Sequence, residues 1–128
     1  MIDIKTEEFE SMISAGIDTI PEKYYKNLQN VVFVAADEPT PEQRNSLKLH
    51  CNQTLFGLYE GIPLTKRNSN YNLVLPDKIT IFRLPIAHIS NNSTEALQHV
   101  KKTVWHEVAH FFGLDHDSIH RLESKQKR

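Results

Sequence analysis

Apolar residues recur along this chain at two periods, and the places where the period changes divide it into elements. In TEEFESMISAGIDTI, residues 6–20, Phe9, Met12, Ile13, Ile17 and Ile20 fall on one stripe at helical spacing. That pattern predicts an amphipathic helix with one buried face. Glu7 and Glu8 suit its first turn and Pro21 its end, while Gly16 works against a helix in the middle. VVFVAA, residues 31–36, is an unbroken apolar run rich in β-branched residues and closed by DEPTP, the best candidate for a central strand. Thr40, Pro41 and Gln43 then stand as cap, first and third positions of a short helix. Residues 45–54 are polar and poorly periodic, and predict nothing regular.

TLFGLYEGIPLTKR, residues 54–67, carries Gly57, Gly61 and Pro63 and predicts a strand interrupted by a turn. RNSNYN after it predicts a hairpin tip or surface loop. KITIFRLPIAHI, residues 78–89, predicts a strand up to Leu84, with Pro85 marking an edge or an exit from the sheet. Asn92 with Glu95 three residues on is an Asn-headed capping box. It opens a helix to about Phe112 in which Leu97, Val100, Val104, Val108 and Phe111 should face the sheet. Beyond Gly113, DHDSIHRLESKQKR predicts a short amphipathic helix carrying Ile119 and Leu122. With no repeat and no linker, the expectation is one small α+β domain over residues 1–128.

Composition narrows the function classes. Apolar residues are 39% and charged residues 24%, an ordinary globular balance. A formal charge of −1 disfavours a nucleic-acid partner, which normally requires an excess of Lys and Arg. Cys51 is the only cysteine, so no internal disulfide forms. The first ten residues lack the pattern of a secretory signal, and no apolar run is long enough to span a bilayer. The expectation is a cytoplasmic protein without a membrane partner; its oligomeric state is left open.

The chemistry gathers in HEVAHFFGLDHD, residues 106–117, which holds three of the seven histidines. Helical residues four apart lie about 5–6 Å from each other, so His106 and His110 can reach one ion. Glu107 then stands beside that ion. A metal can lower the pKa of a bound water toward about 7, and a nearby carboxylate can take its proton as the hydroxide attacks a carbonyl. Gly113 sits where a helix commonly ends, and a turn there can bring His116 back over the same face. Three imidazoles with a fourth position for water favour zinc, although nickel, cobalt and iron accept the same donors. Asp117 is a candidate to orient a ligand ring or to add an oxygen to the metal, against a plain first-turn acid in the last helix. His120 reads as a surface group, and His50, His88 and His99 have no metal pattern around them. Shuffling this composition yields His106, Glu107, His110, Gly113 and His116 in register in roughly one sequence in twenty thousand, so coincidence is a poor account.

HEVAHFFGLDH resembles H-E-x-x-H-x-x-G-x-x-H, the zinc signature of the metzincin peptidases. That resemblance implies ligands His106, His110 and His116 and base Glu107. GLYEGIPLTKR, the strand ITIFRLPI and the helix with its motif together resemble a family of small bacterial minimal zincins, from about Val31 to about Leu122. This narrower resemblance implies a compact zincin-like fold with a small mixed sheet beside the motif helix, and N-terminal and short C-terminal helices around it. It implies a peptide or protein substrate. The methionine turn of metzincins is missing, since only Met1 and Met12 exist. Phe82, Leu84 or Ile119 are then candidates to floor the pocket, and Tyr59 or Tyr71 candidates to stabilise an oxyanion, against plain core or loop packing of the two tyrosines. Glu60 or Arg67 is a candidate lining residue, the two glycines either shape a turn or admit a substrate, and an extended peptide could pair along the edge of strand 79–84.

Two rivals come from other classes. A zinc-stabilised module that binds another protein would close its fourth position with Asp115 or Asp117. A metal-dependent RNA-processing enzyme is implied by the resemblance of GLDH to H-x-x-x-H-x-x-G-x-D-H, a motif of rRNA-maturation proteins. Glu107, which those proteins usually lack, and the near-neutral charge both weigh against it.

Overall fold

The computed structural model describes residues 1–50, 56–61 and 76–114, with side chains of 46–50 excepted. Its elements run α1 (Thr6–Asp18), α2 (Glu22–Tyr25), β1 (Val31–Ala36), α3 (Pro41–His50), β2 (Gly57–Glu60), β3 (Asp77–Phe82), α4 (Arg83–Ile89) and α5 (Ser93–Phe111). This is a mixed α+β fold. The three described strands form one sheet in the order β1-β3-β2, with β1 parallel and β2 antiparallel to β3.

Helix α5 dominates the core because its apolar stripe is continuous. Ala96, Val100, Val104, Val108, Ala109 and Phe111 are all fully buried, and Leu97 is half-buried. Ile79 and Ile81 of β3 meet this stripe from the sheet, and Phe9, Met12 and Ile13 of α1 meet it from the other side. Burying each such aliphatic side chain contributes about 1.5–3 kcal/mol, so tertiary packing rather than propensity holds α5. Its start is fixed locally. Asn92 Oδ1 accepts the Glu95 backbone N–H at 2.9 Å, and Glu95 Oε1 accepts the Asn91 N–H at 3.3 Å. The reciprocal bond thus falls one residue before the cap. Replacing Asn92 with Ala should cost about 1 kcal/mol, read as a shift in urea unfolding.

The capping box of α3 also forms. Thr40 N–H donates to Gln43 Oε1 at 3.0 Å, and Gln43 N–H donates to Thr40 Oγ1 at 3.1 Å. The helix extends to His50, through six of the ten residues of a segment whose polarity predicted nothing regular. Residues 54 and 55, the start of the TLFGLYEGIPLTKR reading, its continuation beyond Gly61, the RNSNYN loop and the short C-terminal helix lie outside the described residues.

Two sheet expectations are corrected. VVFVAA is a strand as expected but stands at an edge among the described strands, where Val32 and Val34 remain 41% and 37% exposed. The centre is β3, whose residues carry both neighbours. That strand ends at Phe82, not Leu84, and Arg83–Ile89 is a helix. Pro85 marks an exit and not an edge. At the third position of α4 its missing N–H would have had no partner within the helix, so it costs nothing there. A peptide cannot pair along β3, because β1 and β2 already take both of its edges.

Candidate metal centre

The last two turns of α5 put His106, Glu107 and His110 together. One donor atom from each lies within 4.8 Å of the others. The two imidazole Nε2 atoms are 3.1 Å apart, with ring planes steeply inclined. Two nitrogens on one tetrahedral zinc, each about 2.0–2.1 Å from the ion, stand about 3.3 Å from each other. The spacing of the pair fits a shared ion.

Glu107 is the unusual member. It is 2% exposed, and its Oε2 has no hydrogen-bond partner among the described residues. Burial pushes its carboxyl up to about 8 from 4.5, against the opposing pull of a hydrogen bond from the Tyr59 backbone. An unpaired carboxyl inside a protein works against stability, and one held beside two imidazoles is the environment in which ionisable groups are tuned for chemistry.

Strand β2 reaches Glu107 because of a glycine. A Cβ on Gly57 would lie 2.6 Å from Thr103 Cγ2 and 3.2 Å from Glu107 Cγ, so only glycine lets the strand lie this close to α5. The register explains the Tyr59 hydrogen bond. Phe82 N–H donates to the Phe56 carbonyl, which makes 56/82 a hydrogen-bonded pair. Pairs 58/80 and 60/78 follow in the same antiparallel alternation. Tyr59 lies between them, so its N–H turns away from β3.

Gly113 ends α5 in the left-handed conformation at φ 75°. Gly113 N–H bonds the His110 carbonyl at 2.9 Å and Leu114 N–H bonds the Ala109 carbonyl at 3.1 Å, the paired bonds of a Schellman motif. The expected bend is present. Gly113→Ala should therefore cost about 1–2 kcal/mol in the metal-free protein, measured by denaturant unfolding. His116, Asp115, Asp117 and His120 lie outside the described residues, as do Arg67, Tyr71 and Ile119.

Other candidates fall away for stated reasons. The Tyr59 hydroxyl is bound to buried Asp77 Oδ2 at 2.6 Å, so it is committed elsewhere and is no oxyanion donor. Phe82 lies on the sheet face opposite Ile79 and Ile81, clustered with Leu58 and Ala36, and cannot floor a site on α5. Leu84 is exposed on α4. Glu60 alternates to that same far face and binds Lys78 and Gln43. The approach of the Tyr59 backbone to Glu107 could not be read from residue types, since every residue but proline carries an N–H; the spacing of Gly57 and Gly61 around it was the available signal.

A model of the zincin-like metallopeptidase family matches residues 28–126. The chain belongs to that family. The match covers the three described strands and the His106–Glu107–His110 turn. Family membership implies a zinc cofactor. No curated protein matches the chain. No described helix is long and apolar enough to cross a membrane.

Proposed function

We propose that this zincin-like protein hydrolyses peptide bonds, with His106, His110 and His116 as zinc ligands and Glu107 as general base. The observation that carries the reading is the buried Glu107 carboxyl with an unpartnered oxygen, set against two imidazole nitrogens 3.1 Å apart. A structural zinc site has no use for such a group, and its burial is a standing cost.

Zinc, when bound, supplies Lewis acidity toward a carbonyl oxygen and a water. The remaining work falls to the chain. Neutral His106 and His110 present ring nitrogens from one helical face, and His116, three residues past the left-handed Gly113, is proposed as the third. Glu107 accepts a proton at Oε2 from the attacking water and delivers it to the departing amine. Its Oε2 is the oxygen without a hydrogen-bond partner among the described residues. Ionised Glu107, the form a base requires, is favoured by positive charge beside it.

Asp117 is proposed as a group that orients a ligand ring or adds an oxygen to the metal. The family match favours peptides over RNA as substrates. The test is a screen of denatured proteins and short peptides with zinc-loaded wild type and Glu107→Gln. Cleavage by the first alone supports the reading, and equal inertness of both at full zinc loading contradicts it.

A further inference from the structure

One to two turns before His106, α5 points two further polar side chains the same way. Successive helical residues are about 100° apart and rise about 1.5 Å each. Lys102 therefore stands about 40° round from His106 and about 6 Å before it along the axis. His99 stands about 20° round and about 10 Å before it. Lys102 and His99 are three residues apart on the helix, with Cβ atoms about 5–6 Å from each other, so both can reach one small group.

The two flanks of this face differ. Thr103 lies toward β2, its Cγ2 2.6 Å from the position of a Cβ on Gly57, and that side is closed. Lys102 lies on the other side and is exposed, and the described ion pairs are all elsewhere. Its neighbour Lys101 belongs to a different surface. The Lys101 Cα is 3.5 Å from the Cβ position of Gly16, which sets it against α1. The acid on the same face is Glu95, about 16 Å before His106. Its Oε1 accepts the Asn91 N–H at 3.3 Å, so it is engaged at the cap and does not offset Lys102.

We propose that Lys102 and His99 bind a carboxylate of the peptide substrate, so that the site prefers an acidic side chain or a free C-terminus near the cleaved bond. This inference rests on the peptidase reading above and names the class of peptide taken. An extended chain advances about 3.3 Å per residue, so a carbonyl held beside His106 puts that carboxylate two or three residues away. Both side chains touch substrate and take no part in breaking the bond. Because Lys102 is in water, its pairing discriminates by single-digit factors and weakens as salt is raised.

The test uses the full zinc-loaded chain and short peptides that differ only in Asp, Ala or Lys at one position. Each peptide is made with a free and with an amidated C-terminus. Two quantities are measured: kcat/KM of the wild type, and peptide affinity of Glu107→Gln by calorimetry, which needs no turnover. A carboxylate two or three residues from the cleaved bond should be favoured over Lys by about fivefold at low salt. Lys102→Ala should remove most of this preference, His99→Ala part of it, and Lys102→Glu should reverse it. Lys101→Glu changes the net charge equally on the α1 side and should leave it in place. Dependence on amidation, and not on the Asp position, would identify the C-terminal carboxylate as the group bound.

Equal handling of Asp, Lys, free and amidated peptides by the wild type overturns the proposal, and so does a preference that survives Lys102→Glu. Should wild type cleave nothing while Glu107→Gln binds the carboxylate peptides through Lys102, the subsite stands and the peptidase reading fails. Binding of no peptide by either protein overturns both.

Discussion

Glu107→Gln is expected to reduce peptide hydrolysis by about 10²–10⁴-fold in kcat while the protein keeps its zinc. Glutamine matches glutamate in shape and can still accept the Tyr59 N–H, so β2 and α5 should remain packed as they are. It cannot take a proton at Oε2. Zinc loading should persist because His106 and His110 are untouched, and the 3.1 Å spacing of their nitrogens is set by α5 itself. Metal content measured alongside kcat decides the matter. Loss of both together would mean that Glu107 serves to hold the ion. His110→Ala is uninformative by comparison, since it empties the site whether the zinc is catalytic or structural.

In the metal-free protein, stability should fall as pH rises from about 4.5 to about 8, and Glu107→Gln should remove that slope. The sign follows from proton binding. Over this window folded Glu107 keeps a proton that the unfolded chain has already released, so raising pH favours unfolding. The contribution is fully present below the unfolded value and lost as pH passes the folded one. Its size is at most about 5 kcal/mol at alkaline pH. Urea unfolding of the two proteins at several pH values should give curves that separate as pH rises. Parallel curves would mean that Glu107 is not buried as an acid.

What could be read from the sequence was what depends on near neighbours in the chain. The cap at Asn92, the box at Thr40 and Gln43, the buried stripe of α5 and the bend at Gly113 all follow from spacings of six residues or fewer. The three-donor cluster was legible for the same reason, because two of its members lie one helical turn apart. Strand order was not. VVFVAA is more apolar than DKITIF, yet it lies at the edge among the described strands, because apolarity reports burial and says nothing of which strands flank which. Helix α4 was hidden by Pro85, whose effect depends on whether it falls in a sheet or in a first helical turn.

The site was half legible. HExxH names Glu107, but nothing nearby in sequence indicates that a strand some fifty residues earlier supplies its hydrogen bond. Tyr59 invited a reading as an oxyanion donor because side chains are what a sequence displays. Its hydroxyl goes to Asp77, eighteen residues away, and it is its backbone that bears on the Glu107 carboxyl, drawing its pKa down against burial. Such pairings arise from register, which is set by the whole sheet.

Competition titration of zinc into the metal-free wild type and His116→Ala tests the central claim most directly. One tightly held zinc per wild-type chain, with affinity lowered by about 10²-fold or more in the variant, is the expected result for a ligand lost from a three-imidazole site. Equal affinities in the two proteins, or no zinc uptake by folded wild type, would contradict it.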